Sequence, residues 1–131
     1  MTEATYEIIE EIRKVKSKNA LSVHVERCKR YIGANLNRAF TQNHIAKELG
    51  LSPNYLSALF SRYEHMTIKE YVLRERIKAA QNLLQFSDEP IGIILNYLCF
   101  CSQSHFSEVF RKYTGMTPSA FRLKSMRNTE F

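Results

Sequence analysis

An all-α fold made of two helix-turn-helix units joined by one long helix is what the 131 residues predict, on three observations. The chain repeats itself: Ile45 through Ser52 is answered by Ile94 through Cys101 at an offset of 49, and Tyr55 through Phe60 by His105 through Phe110 at an offset of 50. Only four Gly and three Pro interrupt a sequence rich in Leu, Ile, Lys and Glu, a helix-forming composition. Each copy also reads as a short helix, a tight turn and a second helix that opens on Ser and closes on an aromatic, the order of a helix-turn-helix.

Taken in order, residues 4–16 set Ile8, Ile9, Ile12 and Val15 at helical spacing between charges, so an amphipathic linker helix is expected within 1–21. Ser22 opens the next helix, with Val25, Cys28, Tyr31 and Ile32 as its buried stripe, and Gly33-Ala34-Asn35 releases it. Thr41 caps the following helix and Gly50 ends it in a left-handed conformation. Ser52 then caps, and Pro53 takes the first turn that suits proline. The first unit is thus 41–49 and 53–64. Thr67-Ile68-Lys69-Glu70 reads as a capping box opening the long helix, which faces Ile68, Tyr71, Val72, Ile77, Ala80, Leu83 and Leu84 inward and Arg74, Glu75, Arg76 and Lys78 largely outward. Ser87 through Pro90 stops it. The second unit is 91–98 and 103–113, Gly115 ends it, and Thr117-Pro118 starts a short last helix to about Lys124. Residues 126–131 are expected to be a fraying tail. The segmentation is therefore 1–21, then 22–125 divided into 22–66, 67–86 and 87–125, then 126–131.

The net charge of +6 suits DNA, RNA or an acidic membrane surface about equally. No apolar run approaches the ~18 residues that span a bilayer, and the start is not a signal peptide, which makes the cytoplasm the expected location. Cys28, Cys99 and Cys101 are odd in number and form no disulfide framework. Cys99, Cys101 and His105 offer three soft ligands, but a structural zinc site wants a fourth at better spacing, and no metal is expected. His24, His44 and His65 have no catalytic or metal-ligand spacing. Without a nucleophile–base order, paired carboxylates or a phosphate-cradling glycine loop, the chain does not read as an enzyme, and no cofactor is implied.

Phe106-Ser107-Glu108-Val109-Phe110-Arg111-Lys112-Tyr113-Thr114-Gly115-Met116-Thr117-Pro118-Ser119-Ala120-Phe121-Arg122 resembles the signature of the AraC/XylS family of bacterial transcription regulators. Leu51 through Ser57, and Glu70-Tyr71 through Arg76-Ile77-Lys78-Ala79-Ala80, fit the same family, and the match covers about 22–123. The resemblance implies a seven-helix domain of two homeodomain-like units, with a recognition helix from each in adjacent major grooves of double-stranded DNA. It also implies contact with RNA polymerase, and leaves two arrangements open: an N-terminal effector domain in a longer parent protein, or a short member of the family without one. The long helix, about 18 residues at ~1.5 Å each, spans roughly 27 Å against a groove repeat of ~34 Å, so a slight DNA bend is expected. Two positions depart from the pattern: bulky Leu95 stands where Ala46 is small, and Cys99 where Gly50 supplies the turn. Either Cys99 is held at positive φ, at a cost of about 1–2 kcal/mol, or the extra residue of the second turn lets it escape.

Assigning the core first leaves the DNA face. Leu56, Leu59, Phe60 and Tyr63 in one recognition helix, and Phe106, Val109, Phe110 and Tyr113 in the other, keep helical spacing and face inward. The family's base-reading positions, carried over, are Asn54, Ser57 and Ala58 in the first helix and Gln103, Ser104, Ser107 and Glu108 in the second. Asn and Gln can pair with adenine, Ala can meet only a thymine methyl, and Glu can accept only from cytosine. Direct reading by each helix is thus modest, and phosphate contacts are expected from the helix starts at Thr41, Ser52 and Ser102 and from Arg62, Arg111 and Lys112. The rival reading is a helical protein-interaction module that binds a regulator or polymerase without reading DNA, favoured by neutral Ala58 and acidic Glu108.

Overall fold

The computed structural model describes residues 21–129, in which every regular element is a helix. Helix α1 covers 21–34, and α2 (Gln42–Leu49), α3 (Pro53–Glu64), α4 (Ile68–Phe86), α5 (Ile91–Tyr97), α6 (Gln103–Thr114) and α7 (Pro118–Thr129) follow. The linker helix expected at 4–16 lies outside the described residues. One expectation is corrected at the other end: α7 does not stop near Lys124 but continues to Thr129, so 126–129 extend a helix. Nothing after Pro118 in that stretch is Gly or Pro, so no residue breaks it.

The chain divides into two compact units. The first runs through Tyr31 and resumes over Thr41–Ile68; the second takes Ile32–Phe40 and everything from Lys69. In the first, Val25 and Cys28 of α1, Ile45 and Ala46 of α2, and Leu56 and Phe60 of α3 are all buried. Every one sits on the apolar stripe of its own helix, so three amphipathic faces supply one core. Lys29 on α1 forms an ion pair with Glu64 at the end of α3.

The second unit does not begin where the sequence divides it. Residues 36–40 belong with α4 because Arg76 reaches them: its Nε donates to the Leu36 carbonyl (3.2 Å), its Nη2 donates to that of Arg38 (2.9 Å), and its guanidinium lies 5.4 Å from the Phe40 ring centre. Arg76 was expected to point outward with Arg74 and Glu75, yet all three are half-buried. Burial lowers the pKa of Arg76, and the neighbouring Cys99 acts in the opposite sense. The core of this unit joins Ile77, Ala80 and Leu84 of α4 to Ile94, Leu95 and Leu98 of α5 and to an aromatic run. Phe106 lies 4.9 Å from Phe100 and 5.8 Å from Phe110, and Phe110 meets Phe121 edge-on at 5.5 Å. Tilted and edge-on pairs at these separations are the favoured aromatic geometries.

The end of α4 is built from α7. No basic residue lies in the last turn of α4 to meet its free carbonyls. Ser87 covers the Leu83 carbonyl through its backbone N–H (3.0 Å) and its hydroxyl (2.7 Å). Arg122 of α7 then donates from Nε to the Leu84 carbonyl and from Nη2 to that of Ser87, both at 3.1 Å. The cation stands at the negative end of the helix dipole, where positive charge stabilises.

Candidate nucleic-acid interface

Both units build the same turn. In the first, Leu51 N–H donates to the Ala46 carbonyl (2.9 Å) and Gly50 N–H to that of Lys47 (3.2 Å), with Gly50 at φ 71°. In the second, Phe100 N–H donates to the Leu95 carbonyl (2.9 Å) and Cys99 N–H to that of Asn96 (3.1 Å), with Cys99 at φ 63°. This pairing of a long bond and a short one around a left-handed residue is the Schellman way of ending a helix. Of the two alternatives the sequence left open, the structure shows the strained one: Cys99 does adopt the left-handed region. The extra residue of the second unit is Cys101, which falls after the turn is closed.

Each recognition helix then starts in the same way. Ser52 accepts from Tyr55 N–H (3.2 Å) and Ser102 from His105 N–H (3.1 Å). Thr41 caps α2 by accepting from His44 N–H (3.2 Å), while its own N–H donates to His44 Nδ1 (3.1 Å), a reciprocal cap that the sequence reading missed. A hydroxyl that accepts a cap bond keeps its own hydrogen to donate, so capping leaves each group able to meet a phosphate. Gln42 Nε2 donates to the Pro53 carbonyl (3.1 Å) and ties the start of α2 to the start of α3.

Burial repeats with the sequence. Leu56, Leu59 and Phe60 are buried in α3, and their equivalents Phe106, Val109 and Phe110 in α6. Between them Asn54 and Ala58 are exposed and Ser57 is half-buried; in the second copy Ser104 and Glu108 are exposed and Ser107 is half-buried. Gln103, Thr41, Ser52, Ser102, Arg62, Arg111 and Lys112 are all exposed as well. The inward-facing tyrosines are shallower than expected, since Tyr63 and Tyr113 are only half-buried. Around α6, Ser107, Glu108, Arg111, Lys112 and Thr117 line an open depression of about 460 Å³.

Two capped helices, each following a turn closed by two bonds and presenting an equivalent polar stripe, form a duplicated helix-turn-helix. Comparison with known proteins agrees: the family described as a helix-turn-helix domain matches residues 45–124. The chain belongs to the AraC/XylS family of transcription regulators. It is 34% identical over 113 residues to the Msm operon regulatory protein of Streptococcus mutans, an alignment spanning 86% of this chain and 41% of that protein. It is 33% identical to the regulatory protein SoxS of Salmonella typhimurium, over 70% of this chain and 86% of SoxS. Among solved structures, an AraC-type transcriptional regulator from Chromobacterium violaceum superposes with a TM-score of 0.76 at 27% identity, covering 79% of this chain and 93% of that one. The domain thus makes up about two fifths of some family members and most of others. Family and fold are those of transcription regulators, and no described helix is long and apolar enough to cross a membrane.

Sequence reasoning missed the two arginines that lock the second unit. Arg76 and Arg122 lie inside stretches that carry the family resemblance, yet neither is on the polar stripe of α3 or α6. Their signal was present: a basic residue amid the apolar spacing of a helix must bury its stem and find acceptors for its fork.

Proposed function

We propose that this chain is the DNA-binding part of a bacterial transcription regulator that reads double-stranded DNA through α3 and α6. The observation that carries this reading is the repeated register of burial, which leaves Asn54, Ser57 and Ala58 equivalent to Ser104, Ser107 and Glu108 on two separately capped helices. These residues, with Gln103, face base edges in the major groove, and the two helices occupy adjacent grooves. Thr41, Ser52, Ser102, Arg62, Arg111 and Lys112 contact phosphates and fix the register. Family membership supports a cytoplasmic regulator that acts on RNA polymerase. The longer relatives support an effector domain elsewhere in the parent protein, whereas SoxS shows that a regulator of nearly this size exists.

Salt titration of binding to duplex DNA tests this. The three cationic phosphate contacts, Arg62, Arg111 and Lys112, give a slope of log affinity against log salt near −3, at about −0.9 per neutralised phosphate, to which the neutral hydroxyls add nothing. A helical module that binds only protein shows no duplex binding even at low salt, and that result overturns the proposal.

A further inference from the structure

We propose that Glu108 makes the second recognition helix select cytosine, so that the two halves of the operator are read by different chemistry. This rests on the reading of α3 and α6 as groove-entering helices. The first copy supplies an internal control. Ala58 stands at the position equivalent to Glu108, and both are exposed, so the fold asks for no carboxylate there. Nor does the helix surface use it. Among the described residues Glu108 takes part in no ion pair, although Arg111 and Lys112 lie three and four positions on, the spacing at which helix pairs form. Lys112 turns instead to Tyr113, its Nζ 5.7 Å from the ring centre. The carboxylate therefore stands free at the wall of the depression it shares with Ser107, Arg111 and Thr117.

A free carboxylate facing DNA is repelled by phosphates on every sequence, and only a base-edge donor compensates it. The major groove offers two exocyclic amines, at cytosine N4 and adenine N6. Adenine sets the N7 lone pair beside its amine, which repels the second carboxylate oxygen; cytosine has no acceptor on that side. Cytosine is thus the base that satisfies Glu108. Ala58 can touch only a thymine methyl, which gives the first half-site an apolar preference instead. Arg111 and Lys112, one turn further along, hold the flanking phosphates and keep the helix in the groove despite the negative charge.

Selection of binding sites from a pool of random duplexes tests this, using wild type, Glu108→Gln and Ala58→Glu, each checked for an unchanged circular-dichroism melt. The wild type is expected to enrich cytosine at one position of one half-site, with a preference of about 5- to 100-fold over other bases. Glu108→Gln should flatten that position or shift it to adenine, and raise binding to random DNA at low salt several-fold. Ala58→Glu should add a cytosine to the other half-site. Selected sites with no cytosine position that responds to Glu108→Gln overturn this inference and leave the DNA-binding function standing. A wild type that enriches no sequence at low salt overturns both.

Discussion

Arg122→Met removes the fork that closes the end of α4 while keeping most of the side chain's length and apolar stem. Two hydrogen bonds at 3.1 Å are lost, to the carbonyls of Leu84 and Ser87. A hydrogen bond to a charged group contributes about 1.5–3 kcal/mol. Arg122 is half-buried, so water screens and replaces part of each, and about half of that range is retained. A cation at a helix C-terminus adds roughly 0.3–1 kcal/mol. The sum is a loss of about 2–4 kcal/mol in the stability of the second unit, read by urea unfolding monitored by far-ultraviolet circular dichroism. Arg122→Lys should recover less than half, because one ammonium cannot reach two carbonyls three residues apart with the fixed geometry of a guanidinium. A loss below ~1 kcal/mol for the methionine variant would refute the clamp. Full recovery by lysine would show that charge near the helix end, not the fork, is what matters.

Phe60→Ala and Phe110→Ala each empty a fully buried aromatic site and should destabilise their own unit by about 3–5 kcal/mol in the same unfolding assay. Burial raises the Cys28 thiol from 9.0 to about 11. The unfolded chain therefore releases this proton between pH 9 and 11 while the folded chain retains it, so stability should fall with rising pH across that window, and less steeply in Cys28→Ala. Gly50→Ala should cost about 1 kcal/mol through backbone strain alone, because an added Cβ meets nothing within 4 Å, and Cys99→Gly should show the opposite sign in a thermal melt.

Most of the architecture was legible because burial in this chain is carried by periodic apolar residues with strong punctuation. Thr41, Ser52 and Ser102 cap, Gly50 and Gly115 turn left-handed, and each does so where a residue of that type stands in the sequence. The stripes proposed to meet bases and phosphates were legible only as polar positions, since removing the core positions from a helix leaves only one face. What did not show was long-range and polar. The forks of Arg76 and Arg122 close on carbonyls 35 to 40 residues away, and nothing in a local window predicts the partner. Helix α7 outruns its expected end near Lys124 because the residues that follow lack an apolar stripe to signal a helix yet contain no Gly or Pro to stop one. The His44 half of the cap on α2 was missed because the usual partner at that position is Glu or Gln.

The change in offset from 49 to 50 shows how one unit accepted an extra residue without losing its geometry. The last bond of the second turn is made by Phe100 N–H, and the first cap of α6 by Ser102. Cys101 is the single position between them that neither device uses, and it is exposed. An insertion one residue earlier would break the bond to Leu95; one residue later it would separate Ser102 from the N–H it caps. Phe100 spans the gap from the inside, 4.9 Å from Phe106 and 5.8 Å from His105, where the first unit has only half-buried Leu51. The larger side chain anchors the longer connection to the core of its own unit. The strain of Cys99 is held in the same way, by Schellman bonds as short as those around Gly50 and by the buried neighbours Leu98 and Phe100. The register of the recognition helix is thus set by its caps and its buried aromatics, which leaves the exposed residues between them free to diverge from Ala58 to Glu108.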